Sequence, residues 1–374
     1  MTPPTLQIPA DLLPADGRFG SGPAKVPAGR LEALAATGRS LMGTSHRQQP
    51  VKDLVQRVRR GIADLFALPN GYEVVLGNGG SVAFFDLLTY AIIRERSQHA
   101  VFGEFGKKFA KEAAAAPWLA QPAMVESVPG GLALPTYDDG VDVYAWTHNE
   151  TSTGVMAPVV RPEGATDDQL TVVDATSAAG GLPLDPTQAD IYYFAPQKSF
   201  ASDGGLWIAL LSPAAVARAE EIAASGRHIP AFFGLTAALK QSRAGQTVNT
   251  PAIATLFLMA EQLDWMNDSG GLPAMVQRTA ASAEALYTWA EKAEYVTPFV
   301  PDPTHRSLVV GTVELDPAID KDVLRAVLAA NGIVDLDAYR GIGTNQLRIA
   351  MYPSVDAADI AALGACIDWI VGRL

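Results

Sequence analysis

Cysteine is almost absent: Cys366 is the only one in 374 residues. A lone thiol excludes an intrachain disulfide and fits a reducing compartment, expected here to be the cytoplasm. No metal site is expected. Long apolar runs are missing as well. No stretch is long enough to span a bilayer, and residues 1–17 lack the basic-then-apolar order of a signal peptide. Positive charge is the third deficit, with 28 Lys and Arg against 40 Asp and Glu and a formal charge of -12. That balance argues against nucleic acid or an anionic membrane as partner, while a local basic pocket for an anionic substrate stays open. The remainder is ordinary, 48% hydrophobic and 18% charged, with enough chain for a sizeable core in a few units.

Against this background the stretch 190–210 stands out. Ile191–Phe194 and Leu206–Leu210 are short apolar runs bounded by Pro196 and by Gly204 and Gly205, so they read as strand, loop, strand. Lys198 lies in that loop and is the only lysine between Lys111 and Lys240. Small and apolar neighbours disfavour its charged form and free the amine, which makes it a candidate for Schiff-base chemistry. A lysine drawn at random is a solvated loop residue. The rest of the chain must decide between the two.

Residues 1–16 are Pro-rich and read as an extended arm, followed by a tight loop over 18–24. Pro27–Met42 has a helix pattern. A second helix follows Pro50, where Val51, Leu54, Val55, Val58, Ile62 and Leu65 keep helical spacing. His46 and Arg47 therefore sit on a loop before a helix, either to meet an anion or simply at the surface. Tyr72–Leu76, Gly77–Ser81 and Val82–Arg94 read as strand, Gly-rich turn and helix, an arrangement whose backbone N–H groups can cradle a phosphate. Its spacing is neither the dinucleotide fingerprint nor a P-loop. Further strands are expected at His99–Gly103, Val141–Thr147 and Leu170–Asp174, and a helix at Glu104–Ala115 with Phe105 at the join. Asp174, after a fully apolar run, is a candidate ligand-facing carboxylate or a turn cap.

Ser212–Ala224 and Ala252–Met266 read as helices, the second with Asn249 or Thr250 as N-cap and Pro251 at its first position. A composition shift at 268–271 marks the expected boundary between units 1–268 and 269–374. The second unit reads as small and α+β, with a helix to Lys292, a strand at Ser307–Val313, a helix at Asp320–Asn331, a strand at Leu347–Tyr352 and a helix at Val355–Arg373. Arg348 is a charge inside an apolar strand and asks for a carboxylate partner.

Eight motifs then occur in order: Phe19–Ala24, Thr44–Arg47, Gly77–Ser81, His148–Gly154, Val173–Ser177, Ala195–Lys198, Asn249–Pro251 and Leu347–Arg348. From about Gly17 onward the set resembles the phosphoserine aminotransferases, class V members of the pyridoxal-phosphate-dependent fold type I enzymes, and is most like their actinobacterial branch. The resemblance implies an α/β fold, with a large domain built on a mainly parallel mixed sheet between helices and a smaller C-terminal α+β domain. It implies reversible ping-pong amino transfer between glutamate and 3-phosphohydroxypyruvate, giving phosphoserine and 2-oxoglutarate in serine biosynthesis. Action on the phosphorylated hydroxythreonine precursor of pyridoxine is compatible with it.

Residue by residue, the resemblance makes Lys198 the Schiff-base lysine and proton carrier and Asp174 the partner of the pyridinium nitrogen. Phe105 would stack on the cofactor ring and Thr151 would bond its phenolic oxygen. Gly80, Ser81 and Gln197 would hold the cofactor phosphate, joined by Asn249 and Thr250 of a second subunit, so that a homodimer completes the site. Arg348 would bind the substrate α-carboxylate, and His46 and Arg47 the distal anion. Two departures stand out: Ser81 occupies the place of a family arginine, and a family histidine near Gly341 is missing. Arg340 is the residue expected to compensate. Alanine-glyoxylate or serine-pyruvate transaminases would share the lysine, aspartate and carboxylate arginine but need no distal phosphate site. A cysteine desulfurase is disfavoured because Cys366 lies in an amphipathic helix. A non-catalytic cofactor-binding protein would lack reason to keep both substrate-anion sites.

Overall fold

The computed structural model describes residues 6–343 and 345–374, so the first five residues of the expected arm lie outside it. Branched and aromatic runs between glycine turns form β1 (Glu73–Asn78), β2 (Ser97–Val101), β3 (Ala123–Glu126) and β4 (Val143–Thr147). They continue as the two-residue pair β5 (Asn149–Glu150) and β6 (Val155–Met156), then β7 (Leu170–Asp174), β8 (Ile191–Phe194) and β9 (Leu206–Leu211). One seven-stranded sheet has the order β1-β9-β8-β7-β4-β2-β3. β9 is antiparallel to both neighbours, and every other pairing in the sheet is parallel.

The strand period of two sends Val74 and Leu76 to one face and Val75 to the other, and it separates Tyr192 and Phe194 from Ile191 and Tyr193 in the same way. On the first face lie α2 (Gln49–Leu65) and α7 (Ile253–Asp268), with α1 (Ala28–Ala36) resting on α7. The second face is covered by α3 (Ser81–Ala91), α4 (Glu104–Ala115), α5 (Pro213–Ala224) and α6 (Leu235–Arg243). Helices on both sides explain why β4, β7, β8 and β9 are buried at every position and read as unbroken apolar runs.

Some local expectations are corrected. α1 stops at Ala36 instead of running to Met42, because Thr37 Oγ1 donates back to the Leu34 carbonyl at 2.8 Å and Gly38 turns the chain at φ 51°. α7 begins at Ile253 with Ala252 as its N-cap, so neither Asn249 nor Thr250 caps it and Pro251 lies outside the helix. The Thr250 hydroxyl is engaged elsewhere, by His46 Nδ1 at 3.0 Å.

After Asp268 a turn through Gly270 opens α8 (Gly271–Lys292), which packs against α10 (Ala357–Val371). The three-stranded antiparallel sheet β10 (Val296–Pro298), β11 (Val310–Leu315), β12 (Gln346–Ala350) and helix α9 (Lys321–Ala330) complete that unit. The described part of the arm packs here. Ile8 and Phe19 bury their side chains in this core, Ile8 N donates to Asn331 Oδ1 at 2.9 Å, and Ala15 N donates to Asp359 Oδ1 at 2.8 Å. Cys366 is buried in the same core. Among the described residues no helix is long and apolar enough to cross a membrane.

Candidate active site

Where the parallel strands end, their following loops meet around a cavity of about 440 Å³. Gly80 and Ser81 reach it from β1, Phe105 from β2, Thr151 from β4, Gln197 and Lys198 from β8, and Arg348 from the small unit. Ser21, Gly22 and Pro23 close one wall. Gly22 comes close to the lysine there: a Cβ on it would stand 3.1 Å from Lys198 Cε, tighter than ordinary contact, and its φ of 153° favours glycine.

Lys198 is 5% exposed, and its Nζ donates to Thr151 Oγ1 at 2.8 Å. Burial pulls its pKa down to about 8, opposed by the Asp174 carboxylate and reinforced by the Arg348 guanidinium. The amine is thus far more available near neutrality than an exposed lysine. Thr151 in turn donates to Ser177 Oγ at 2.8 Å, which fixes the hydroxyl that faces the amine.

Asp174 is the last residue of β7 and buried. Burial pushes its carboxyl above the usual range, while bonds from Thr176 N (2.9 Å) and Thr176 Oγ1 (2.6 Å) hold it down. No cation is hydrogen-bonded to it among the described residues, so its charge is left for a ligand. Thr176 Oγ1 also meets Ser81 Oγ at 2.5 Å, linking the first turn of α3 to the carboxylate. The N-cap of α3 is Gly80, with no side-chain cap and open space around its Cα, so the first N–H groups of α3 are free to hold an anion.

Phe105 is held by a carboxylate buried beneath it. Glu150 is fully buried and accepts from Phe105 N at 3.1 Å, Gly106 N at 3.2 Å and Ser152 Oγ at 2.6 Å. It occupies the positive end of α4. Gly103 permits that approach, since a Cβ there would lie 2.1 Å from Glu150 Cγ. The Phe105 ring then sits 5.4 Å from Lys198 Nζ.

Arg348 donates to the carbonyls of Asp337 and Thr151, both at 3.2 Å, and its guanidinium stands 5.4 Å from the Tyr339 ring centre. No carboxylate pairs with it among the described residues. The partner that the sequence asks for must come from outside the chain.

Other expected residues are not brought to the cavity of this chain. His46 is half-buried beside Thr250, with no partner on Nε2, and Arg47 is exposed. Asn249 and Thr250 do not line the cavity, and Arg340 is exposed next to it. The pairing of His46 with Thr250 means that whichever cavity receives one receives the other. Sequence reasoning missed Glu150, Thr176 and Tyr339. Glu150 and Thr176 sit inside the quoted motifs, one and two residues from named members, and no spacing marked them further.

A chain with this geometry has relatives of known kind. The family signature Aminotransferase class-V matches residues 132–341. A phosphoserine aminotransferase of Nocardioides sp. is 65% identical over 370 residues, 99% of each chain. The chain belongs to the class-V aminotransferases. Within the family it is also similar to a phosphoserine aminotransferase of Rhodococcus opacus, 54% identical over 98% of each chain. Its fold is shared with the crystal structure of a phosphoserine aminotransferase from Cytophaga hutchinsonii, at TM-score 0.88 and 21% identity, over 96% of this chain and 100% of that one.

Proposed function

We propose that the protein is a phosphoserine aminotransferase that uses pyridoxal 5'-phosphate. It moves an amino group reversibly between glutamate and 3-phosphohydroxypyruvate, giving phosphoserine and 2-oxoglutarate, in the cytoplasm. The observation that carries this reading is the full-length likeness, at 65% identity, to a phosphoserine aminotransferase.

The residues present fit the cofactor. A buried lysine amine and an uncapped helix N-terminus line one cavity, and the buried Asp174 carboxylate, without a bound cation, lies behind its wall, bonded to Thr176 of that wall. Gln197 also lines the cavity, with an amide NH2 able to donate to a phosphate oxygen. Lys198 would hold the cofactor through Nζ, Asp174 would sit at its ring nitrogen, Phe105 on its ring and Thr151 at its phenolic oxygen. Gly80, Ser81 and Gln197 would take its phosphate. When bound, pyridoxal phosphate supplies the electron sink that stabilises the carbanion left as the substrate Cα loses its proton.

The chain does the rest. Lys198 Nζ takes the Cα proton and returns it, and its lowered pKa keeps a useful fraction of the amine uncharged. Asp174 keeps a proton on the ring nitrogen by charge pairing. Arg348 orients the substrate through its α-carboxylate in a two-point contact. Phe105 excludes water from one face of the site. His46, Arg47, Asn249 and Thr250 act, in this reading, on the cavity of a second copy, so a homodimer carries two shared sites.

The test is the visible spectrum of the purified holoenzyme before and after adding phosphoserine, with alanine and serine as controls. A cofactor band bleached selectively by phosphoserine supports the reading. A band bleached by alanine or serine alone keeps the cofactor and moves the substrate to the alanine-glyoxylate or serine-pyruvate kind.

A further inference from the structure

We propose that Lys108 is a specificity-determining residue that binds the distal phosphate of the substrate at the mouth of the cavity. The proposal rests on the phosphoserine reading above and adds to it a contact made within one chain. Phosphoserine carries two anionic groups, and a site that grips both needs two cationic contacts. The cavity wall supplies Arg348, Lys198 is committed to the chemistry, and His46 and Arg47 act on this cavity only from a second copy, so the chain's own second cationic contact is still to be found.

Lys108 does not line the cavity itself but stands against two residues that do, Phe105 and Tyr339. It lies three residues after Phe105 on α4, on the same helix face. Its Nζ stands 4.9 Å from the Phe105 ring centre and donates to Tyr339 Oη at 2.8 Å. Both rings line the cavity, edge to face with centres 5.6 Å apart. The Lys108 amine and the Arg348 guanidinium are 5.5 Å and 5.4 Å from the Tyr339 ring centre. One tyrosine ring thus has a cation near it from each of two elements. An amino acid seated with its α-carboxylate on Arg348 can extend its second anion toward Lys108.

Lys108 has no competing counter-charge. Its hydrogen bond goes to a phenol, and no carboxylate pairs with it among the described residues. The phenol also suits an anion site, because Tyr339 Oη accepts from the lysine and keeps its own O–H to donate to a phosphate oxygen. The rival role is a structural one, in which the lysine only steadies Tyr339 through its bond and its position near the ring.

The two roles separate in steady-state kinetics on the holoenzyme, comparing wild type with Lys108→Gln and Lys108→Arg, and with inorganic phosphate as a competing ligand. Lys108→Gln should raise both the KM for phosphoserine and the Ki for phosphate by about tenfold, with kcat falling by less than about threefold. Lys108→Arg should recover most of both. Unchanged phosphate inhibition overturns the proposal, whether kcat falls, as for a prop of Tyr339, or stays level. A wild type that ignores phosphoserine, yet is inhibited by phosphate in a Lys108-dependent way, keeps the anion site and overturns the functional reading.

Discussion

Lys198 combines burial with a single hydroxyl partner, and its titration follows from that. Its folded-state pKa is lowered to about 8 from an ordinary 10.5, so the free amine appears as pH rises through about 8. The rate at which the apoenzyme captures pyridoxal phosphate, trapped by borohydride, should rise with a midpoint near 8 and not near 10.5. The stability consequence has the same sign. The unfolded chain holds this proton to higher pH than the folded one, so stability of the apo form rises with pH between the two values. Lys198→Ala should cut turnover by at least about a thousandfold. At Arg348 the loss is one of geometry. Arg348→Lys keeps the charge but not the fork, so the KM for phosphoserine should rise by about tenfold or more with kcat less affected. Arg340 is exposed, and water and salt screen it. Arg340→Ala should therefore raise the phosphoserine KM less than Lys108→Gln does.

The first turn of α4 holds Phe105, the residue proposed to stack on the cofactor ring, in place. Glu150→Ala removes the buried acceptor from Phe105 N and Gly106 N, and should lower stability by about 2 kcal/mol by calorimetry and weaken cofactor retention on dialysis. The elements themselves were largely legible. β4, β7, β8 and β9 are runs that no helix pattern fits; Asp174 could be placed at a strand end because an apolar run stops there, and Lys198 in a loop because Pro196 and Gly204 with Gly205 bound it. β3 was not legible: four residues at a sheet edge, alternately half-buried and exposed, leave too short a signal. Lys108 was invisible for another reason. Its partner Tyr339 is distant in the chain and joins it only when β12 and α4 are brought together in space. The Asn249 and Thr250 cap failed because the capping signal at Pro251 is local, whereas the Thr250 hydroxyl is claimed by His46.

At the scale of the molecule, the site is spread over more than one packing unit. If His46 and Arg47 serve a second copy, mixing Lys198→Ala chains with Arg47→Ala chains should restore activity. Each mixed dimer then holds one site with an intact lysine and an intact distal arginine. Recovery on mixing, after brief unfolding and refolding together, checks this; no recovery places both groups in one chain.

Asp359 on α10 ties the chain's beginning to its end, accepting from Ala15 N and Asp16 N and pairing with Lys25 at 3.4 Å. That tie steadies the segment that carries Ser21, Gly22 and Pro23 into the cavity wall. The order of synthesis therefore matters. On the ribosome the Lys198 loop emerges long before Arg348 and Asp359, and residues 15–25, made earlier still, are held in place only once Asp359 has been made. A nascent chain can fold its large sheet early, yet the cavity around Lys198 lacks one wall until α10 is released and residues 15–25 pack against it.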